Sequence, residues 1–287
     1  MNFYHKLSIL ILMFCASVLH AQKHDLDRVT IAELEQKIHP KDSSAVAAIL
    51  FKKGSVNYTY TAEKGFQIKT EMKFKIKIYT KEGLRWATNS IPYRANESLN
   101  VYDAVTYNLV DGKIEKTKLK SDGVFTLQID KFLNSKRITF PNAKEGSIVE
   151  FSIIVISPLQ TELKDWVFQH DIPVDYAEFK TYVPEYFVYK PTLKGFVFPK
   201  ISVLETRRSI KYVYTEKVAD RSSGFSERTN EELNYRETQT TYILENVPAL
   251  KNERFVNNID NYTAALNLEL ESINFPNQPS KNYRRIQ

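Results

Sequence analysis

Met72-Lys73-Phe74-Lys75-Ile76-Lys77-Ile78 alternates apolar and basic residues without a break. Successive side chains of a strand point to opposite faces, so Met72, Phe74, Ile76 and Ile78 share one face and the three lysines the other. The spacing predicts a half-buried strand with its lysine face in water. The same reading extends along the chain to strands at Val56 to Ala62, Leu84 to Tyr93, Val101 to Val110, Ile148 to Ile156, Ile210 to Thr215 and Thr238 to Val247. Asp111-Gly112 supplies a tight hairpin turn, because both residue types tolerate positive φ. Glu82-Gly83, Asp122-Gly123 and Glu145-Gly146 read as further turns.

Short strands joined by such turns argue for an antiparallel sandwich over a parallel α/β sheet. Composition agrees: 17 Tyr and 17 Phe stand against 8 Gly in 287 residues, and large rings suit a pleated, half-buried surface. The expected fold class is all-β and mainly antiparallel, a large β-sandwich with a short N-terminal helix. That helix rests on Thr30 and Glu33 at capping-box spacing, with Ile31, Leu34 and Ile38 on one face and Pro40 ending it. His39 then falls at its C-terminal end, where the helix dipole favours a cation. Asp220 to Asn234 reads as an exposed polar loop, and Ala264 to Ile273 as a strand more than a helix.

Residues 1–21 carry the marks of a secretory signal: Lys6, then the apolar run from Leu7 to Phe14, then a small residue at Ala21. The run is too short to span a bilayer, so no transmembrane segment is expected in the mature chain. Phe14 stands where a lipoprotein signal needs a small residue, which argues against lipidation at Cys15. These features predict export to the periplasm or cell envelope. The domain reading is residues 1–21 signal, 22–44 polar segment with the helix, 45–250 sandwich, and 251–287 a strand and linker.

Cys15 is the single cysteine, so the mature chain has no disulfide, thiol nucleophile or thiolate ligand. The formal charge of +6 is scattered and gives no reason to expect a nucleic-acid partner. The glycines are isolated, with no Gly-x-Gly pair, phosphate-cradling loop or nucleophile elbow, and no cofactor is expected. No zinc-binding or EF-hand spacing is present, although a calcium ion in the polar loop after Asp220 is conceivable. His170 is flanked by Asp165, Trp166 and Asp171, which could make it a proton shuttle. The plainer reading is a strand-end histidine bonded to backbone. Paired carboxylates of a hydrolase are not identifiable from sequence.

The richest aromatic segment holds Tyr182, Tyr186, Phe187, Tyr189, Phe196 and Phe198, interleaved with prolines. Exposed rings here would stack on sugars, and Tyr182, Tyr186, Phe187 and Tyr189 are the candidate ligand-binding residues. Core packing is the alternative.

Three stretches together carry a resemblance: Val105 to Ile114, Phe140-Pro141-Asn142-Ala143-Lys144-Glu145-Gly146-Ser147-Ile148-Val149-Glu150-Phe151, and Asn257-Asn258-Ile259-Asp260-Asn261-Tyr262. They resemble the bacterial envelope family known as domain of unknown function 3857, over roughly Ala45 to Ile273. The resemblance implies a β-sandwich that precedes a transglutaminase-like core in exported proteins. It places the catalytic Cys, His and Asp of that core after the segment where this chain stops, so it supplies no site residue. The sequence-based expectation is thus a truncated product or a fragment: a non-catalytic accessory module whose partner is a transglutaminase-like domain. The alternatives are a stand-alone module binding envelope glycan or peptide, and an autonomous carboxylate-based hydrolase.

Overall fold

The computed structural model describes residues 28–158, 161–217, 226–251, 258–276 and 278–283. The described residues from Ile31 onward belong to one compact unit, and the expected signal segment lies outside the described residues. The fold is all-β with a short helix near its N-terminus.

Among the described residues one helix, α1 (Ile31–Glu35), precedes fifteen strands: β1 (Ala47–Thr61), β2 (Gly65–Ile78), β3 (Thr88–Arg94), β4 (Ser98–Val110), β5 (Lys113–Lys118), β6 (Val124–Gln128), β7 (Leu133–Thr139), β8 (Ile148–Ser157), β9 (Trp166–Val167), β10 (Val174–Pro184), β11 (Phe187–Lys194), β12 (Lys200–Lys217), β13 (Ser226–Val247), β14 (Ala265–Ile273) and β15 (Lys281–Asn282). An eight-stranded sheet runs in the order β12-β13-β10-β1-β2-β8-β4-β5. All its neighbours are antiparallel except β1 and β10, which run parallel. A second sheet orders β11-β14-β15 with β9 also on β14, and a third orders β3-β7-β6. The main core draws on all three, through Ile49, Ile76 and Phe151, Phe187 and Leu266, and Ile138.

The expected hairpin at Asp111-Gly112 joins β4 to β5, with φ of 49° and 73°. Both values are positive, as a turn matching the strand twist requires. The strand choice for Ala264 to Ile273 holds as β14.

Several expectations are corrected. The lysine face of β2 is not in water at its C-terminal end: Lys75 and Lys77 are 1% and 0% exposed. The N-terminal segment covers them. Lys75 Nζ donates to Glu33 Oε1 at 2.7 Å, while Lys77 Nζ donates to the carbonyls of Leu34 at 2.8 Å and Gly146 at 2.6 Å. α1 is correspondingly short, burying Leu34 and leaving Ile31 and Ile38 exposed. His39 lies beyond the helix and is buried. Its Nδ1 accepts from the Asp42 amide, so its Nε2–H donates to Asp175 Oδ1 at 2.8 Å. This bond ties the segment after α1 to β10.

The start of the predicted strand at Leu84 is instead a 3-10 turn over Glu82–Ala87, and β3 begins at Thr88. The expected loop from Asp220 to Asn234 is largely strand. Residues 218–225 lie outside the described residues, whereas Ser226 to Asn234 continue β13 in register with β12. The strand read at Ile210 to Thr215 is part of β12, whereas polar residues on both faces concealed the start of β13 from a period-two reading.

Candidate functional site

The most chemically distinctive arrangement among the described residues lies between β1 and the segment leading into β10. Gly54 of β1 makes room for it: a Cβ there would sit 2.4 Å from the Trp166 ring. The indole fills that space and stacks on Phe179 of β10, with centroids 4.6 Å apart and planes at 16°. A glycine inside a strand commonly marks such a close approach.

Lys52 lies two residues before Gly54 and is 6% exposed. Its Nζ donates to the Val167 carbonyl at 2.6 Å and to His170 Nε2 at 3.2 Å. It also sits 4.3 Å from the Trp166 ring centroid, where the ring's negative face attracts the ammonium. Burial nonetheless disfavours the charge and lowers the Lys52 pKa to about 7. His170 is pushed down to about 3, first by burial and then by the Lys52 charge. It is therefore neutral at pH 7, with Nε2 as acceptor and its proton on Nδ1. The Trp86 ring meets it edge-on at 6.3 Å.

The flanking carboxylates do not serve His170. Asp165 accepts from Asn267 Nδ2 at 2.6 Å, and Asp171 pairs with Arg85 at 2.5 Å. The ring is bonded to Lys52, not to backbone as the plainer sequence reading had it; its own carbonyl accepts from the Leu250 amide at 2.7 Å. The sequence reading missed Lys52. The available signal was a lysine directly after the apolar run from Ala47 to Phe51 and two residues before a glycine.

The four candidate ligand-binding rings do not share one surface. Tyr186 and Phe187 are 6% and 4% exposed and pack against Phe66 and Phe275. Tyr189 is half-buried and its hydroxyl meets that of Tyr58 at 2.7 Å; burial raises its pKa to about 12. Tyr182 lies on β10 opposite Gln239, half-buried. The open rings of this segment are Phe196 and Phe198, 77% and 61% exposed. Phe196 stacks on Tyr262, with centroids 5.8 Å apart and planes at 26°.

A cavity of about 380 Å³ lies elsewhere, between Tyr93, Phe132 and Leu133, with the ion pairs Arg94–Glu162 and Lys164–Glu97 at its rim. Among the described residues no group of three or more His, Cys, Asp or Glu is arranged to hold a metal, and no helix is long and apolar enough to cross a membrane.

No protein-family model matches the chain, and no curated protein matches it. Among solved structures it is similar to a protein from Parabacteroides distasonis provisionally described as a protease. The two are 14% identical with a TM-score of 0.56, over 79% of this chain and 41% of that one. An M1 zinc metallopeptidase from Deinococcus radiodurans is 8% identical with a TM-score of 0.27, over 73% of this chain and 45% of that one. The second likeness carries no argument, and the first concerns the fold alone. The chain spans less than half the length of either protein.

Proposed function

We propose that this chain is the non-catalytic β module of an exported envelope protein and works with a transglutaminase-like catalytic domain. The observation that carries the reading is the fold correspondence with a longer protein, which takes in 79% of this chain and 41% of the other. The polar interior supports it. Lys52 is occupied by Val167 and His170, and the acids beside His170 are engaged by Asn267 and Arg85, so these groups hold the fold together. The purified chain is expected to leave peptide and glycan substrates intact and to raise the thermal midpoint of a separately produced transglutaminase-like domain. Turnover by the chain alone overturns the reading.

A second reading is supported by the open Phe196–Tyr262 pair. Stacked rings with free faces suit the apolar faces of sugars, which favours a module binding envelope glycan. Glycan-array binding that is lost in Phe196→Ala but kept in Phe125→Ala would establish it. Phe125 is the control because it is also exposed, at 54%, and lies on β6.

A further inference from the structure

The two edges of the eight-stranded sheet are built differently. β5 is six residues long and carries Lys113, Lys116 and Lys118. A short, lysine-rich strand of this kind is a standard guard against pairing with another chain. β12, at the other edge, runs for eighteen residues without Pro or Gly and pairs with β13 in unbroken register. Ile201, Val203, Leu204 and Val213 on it are 51%, 63%, 56% and 54% exposed. From Arg207 onward the β12–β13 ribbon extends past the last residue pair that β13 makes with β10. A two-stranded ribbon is marginal alone in water and gains from a third strand.

We propose that β12 pairs antiparallel with β12 of a second copy of this chain, on a two-fold axis through Arg208. The occupant is chosen by the strand's own complementarity. A symmetric antiparallel pair sets residues equally far before and after the axis opposite each other, twice per dimer. With Arg208 central, Glu205 faces Lys211 of the other copy, Val203 faces Val213, Leu204 faces Tyr212 and Thr206 faces Ile210. The exposed valines thus cover one another, and the acid meets a base. The two Arg208 side chains meet at the axis, but each is already neutralised by Glu237, whose Oε1 accepts from Arg208 Nε at 3.0 Å. The outward N–H and C=O groups of β12 gain partners, and two eight-stranded sheets join into one.

The test is analytical ultracentrifugation of the purified chain over a range of concentrations, with circular dichroism as the folding control. A monomer–dimer equilibrium is expected. Glu205→Lys and Lys211→Glu each put like charges opposite one another twice, and each should weaken the dimer about tenfold. Combining the two substitutions restores opposite charges and should return the affinity to the starting value. Glu205 and Lys211 are both exposed, so the variants keep the fold. Three outcomes overturn the proposal: a chain that stays monomeric at every concentration, a dimer indifferent to either single substitution, or a combined variant no tighter than the single ones.

Discussion

Lys52 Nζ stands 3.2 Å from His170 Nε2, although 118 residues separate them in sequence. This bond joins β1 to the segment entering β10, the one parallel neighbour of β1. Both groups are buried and both have depressed pKa values, so each links folding to pH in its own window.

His170 titrates near 3 in the folded chain and near 6.5 unfolded. Between those values the unfolded chain binds the proton and the folded chain does not, so stability falls as pH drops from about 6.5 towards 3. The slope from this group is at most about 1.4 kcal/mol per pH unit. Urea midpoints measured from pH 7 to pH 4 should fall steadily, and His170→Gln should flatten that fall. An unchanged slope in the variant would place the acid sensitivity elsewhere.

Lys52 acts on the alkaline side. Its folded pKa of about 7 lies below the unfolded value of about 10.4. Between the two the unfolded chain holds the extra proton, so stability rises with pH across this window as the buried ammonium is relieved of its charge. Lys52→Met keeps the apolar stem and removes the titrating group. The rise between pH 7 and pH 10 should then shrink, by up to about 1.4 kcal/mol per pH unit.

Lys77 is a different kind of buried lysine, because its ammonium bridges two carbonyls, Leu34 O and Gly146 O. It joins the C-terminal turn of α1 to the turn before β8, and a cation at a helix C-terminus is further favoured by the dipole. Lys77→Ala leaves both acceptors without this donor and opens a void. A loss of about 3 kcal/mol is expected in chemical denaturation. Amide exchange across residues 31–36 should rise first, since this segment depends on the bridge.

Legibility in the sequence followed how each strand is buried. β8 and the C-terminal half of β13 were readable as strands from their apolar residues. β1 from Ala47 to Phe51 is buried on both faces, between β2 and β10, so alternation vanishes there and the reading began only at Val56. That is why Lys52 was missed. The opposite failure is the start of β13, from Ser226 to Asn234, where polar residues on both faces imitate a loop. The aromatic segment exposed a third limit. Ring content gives no sign of direction, so buried Tyr186 and Phe187 and open Phe196 look alike until the register of β11 on β14 is known.

Gly54 offers a test of the candidate site that disturbs no polar group. In Gly54→Ala the added methyl would lie 2.4 Å and 2.5 Å from two carbons of the Trp166 ring and 3.0 Å from Phe179. The ring cannot retreat easily, because it is also held by the stack with Phe179 and by the Lys52 ammonium. Overpacking of this kind costs about 1–3 kcal/mol. As Trp166 shifts, Lys52 loses part of its cation–π contact while keeping Val167 as acceptor. The variant should therefore unfold at lower urea and show altered indole fluorescence in the folded state. Comparison with a Trp86→Phe background isolates the Trp166 signal, since the chain holds two tryptophans. An Ala variant with native stability and unchanged emission would mean that the indole does not sit over Gly54.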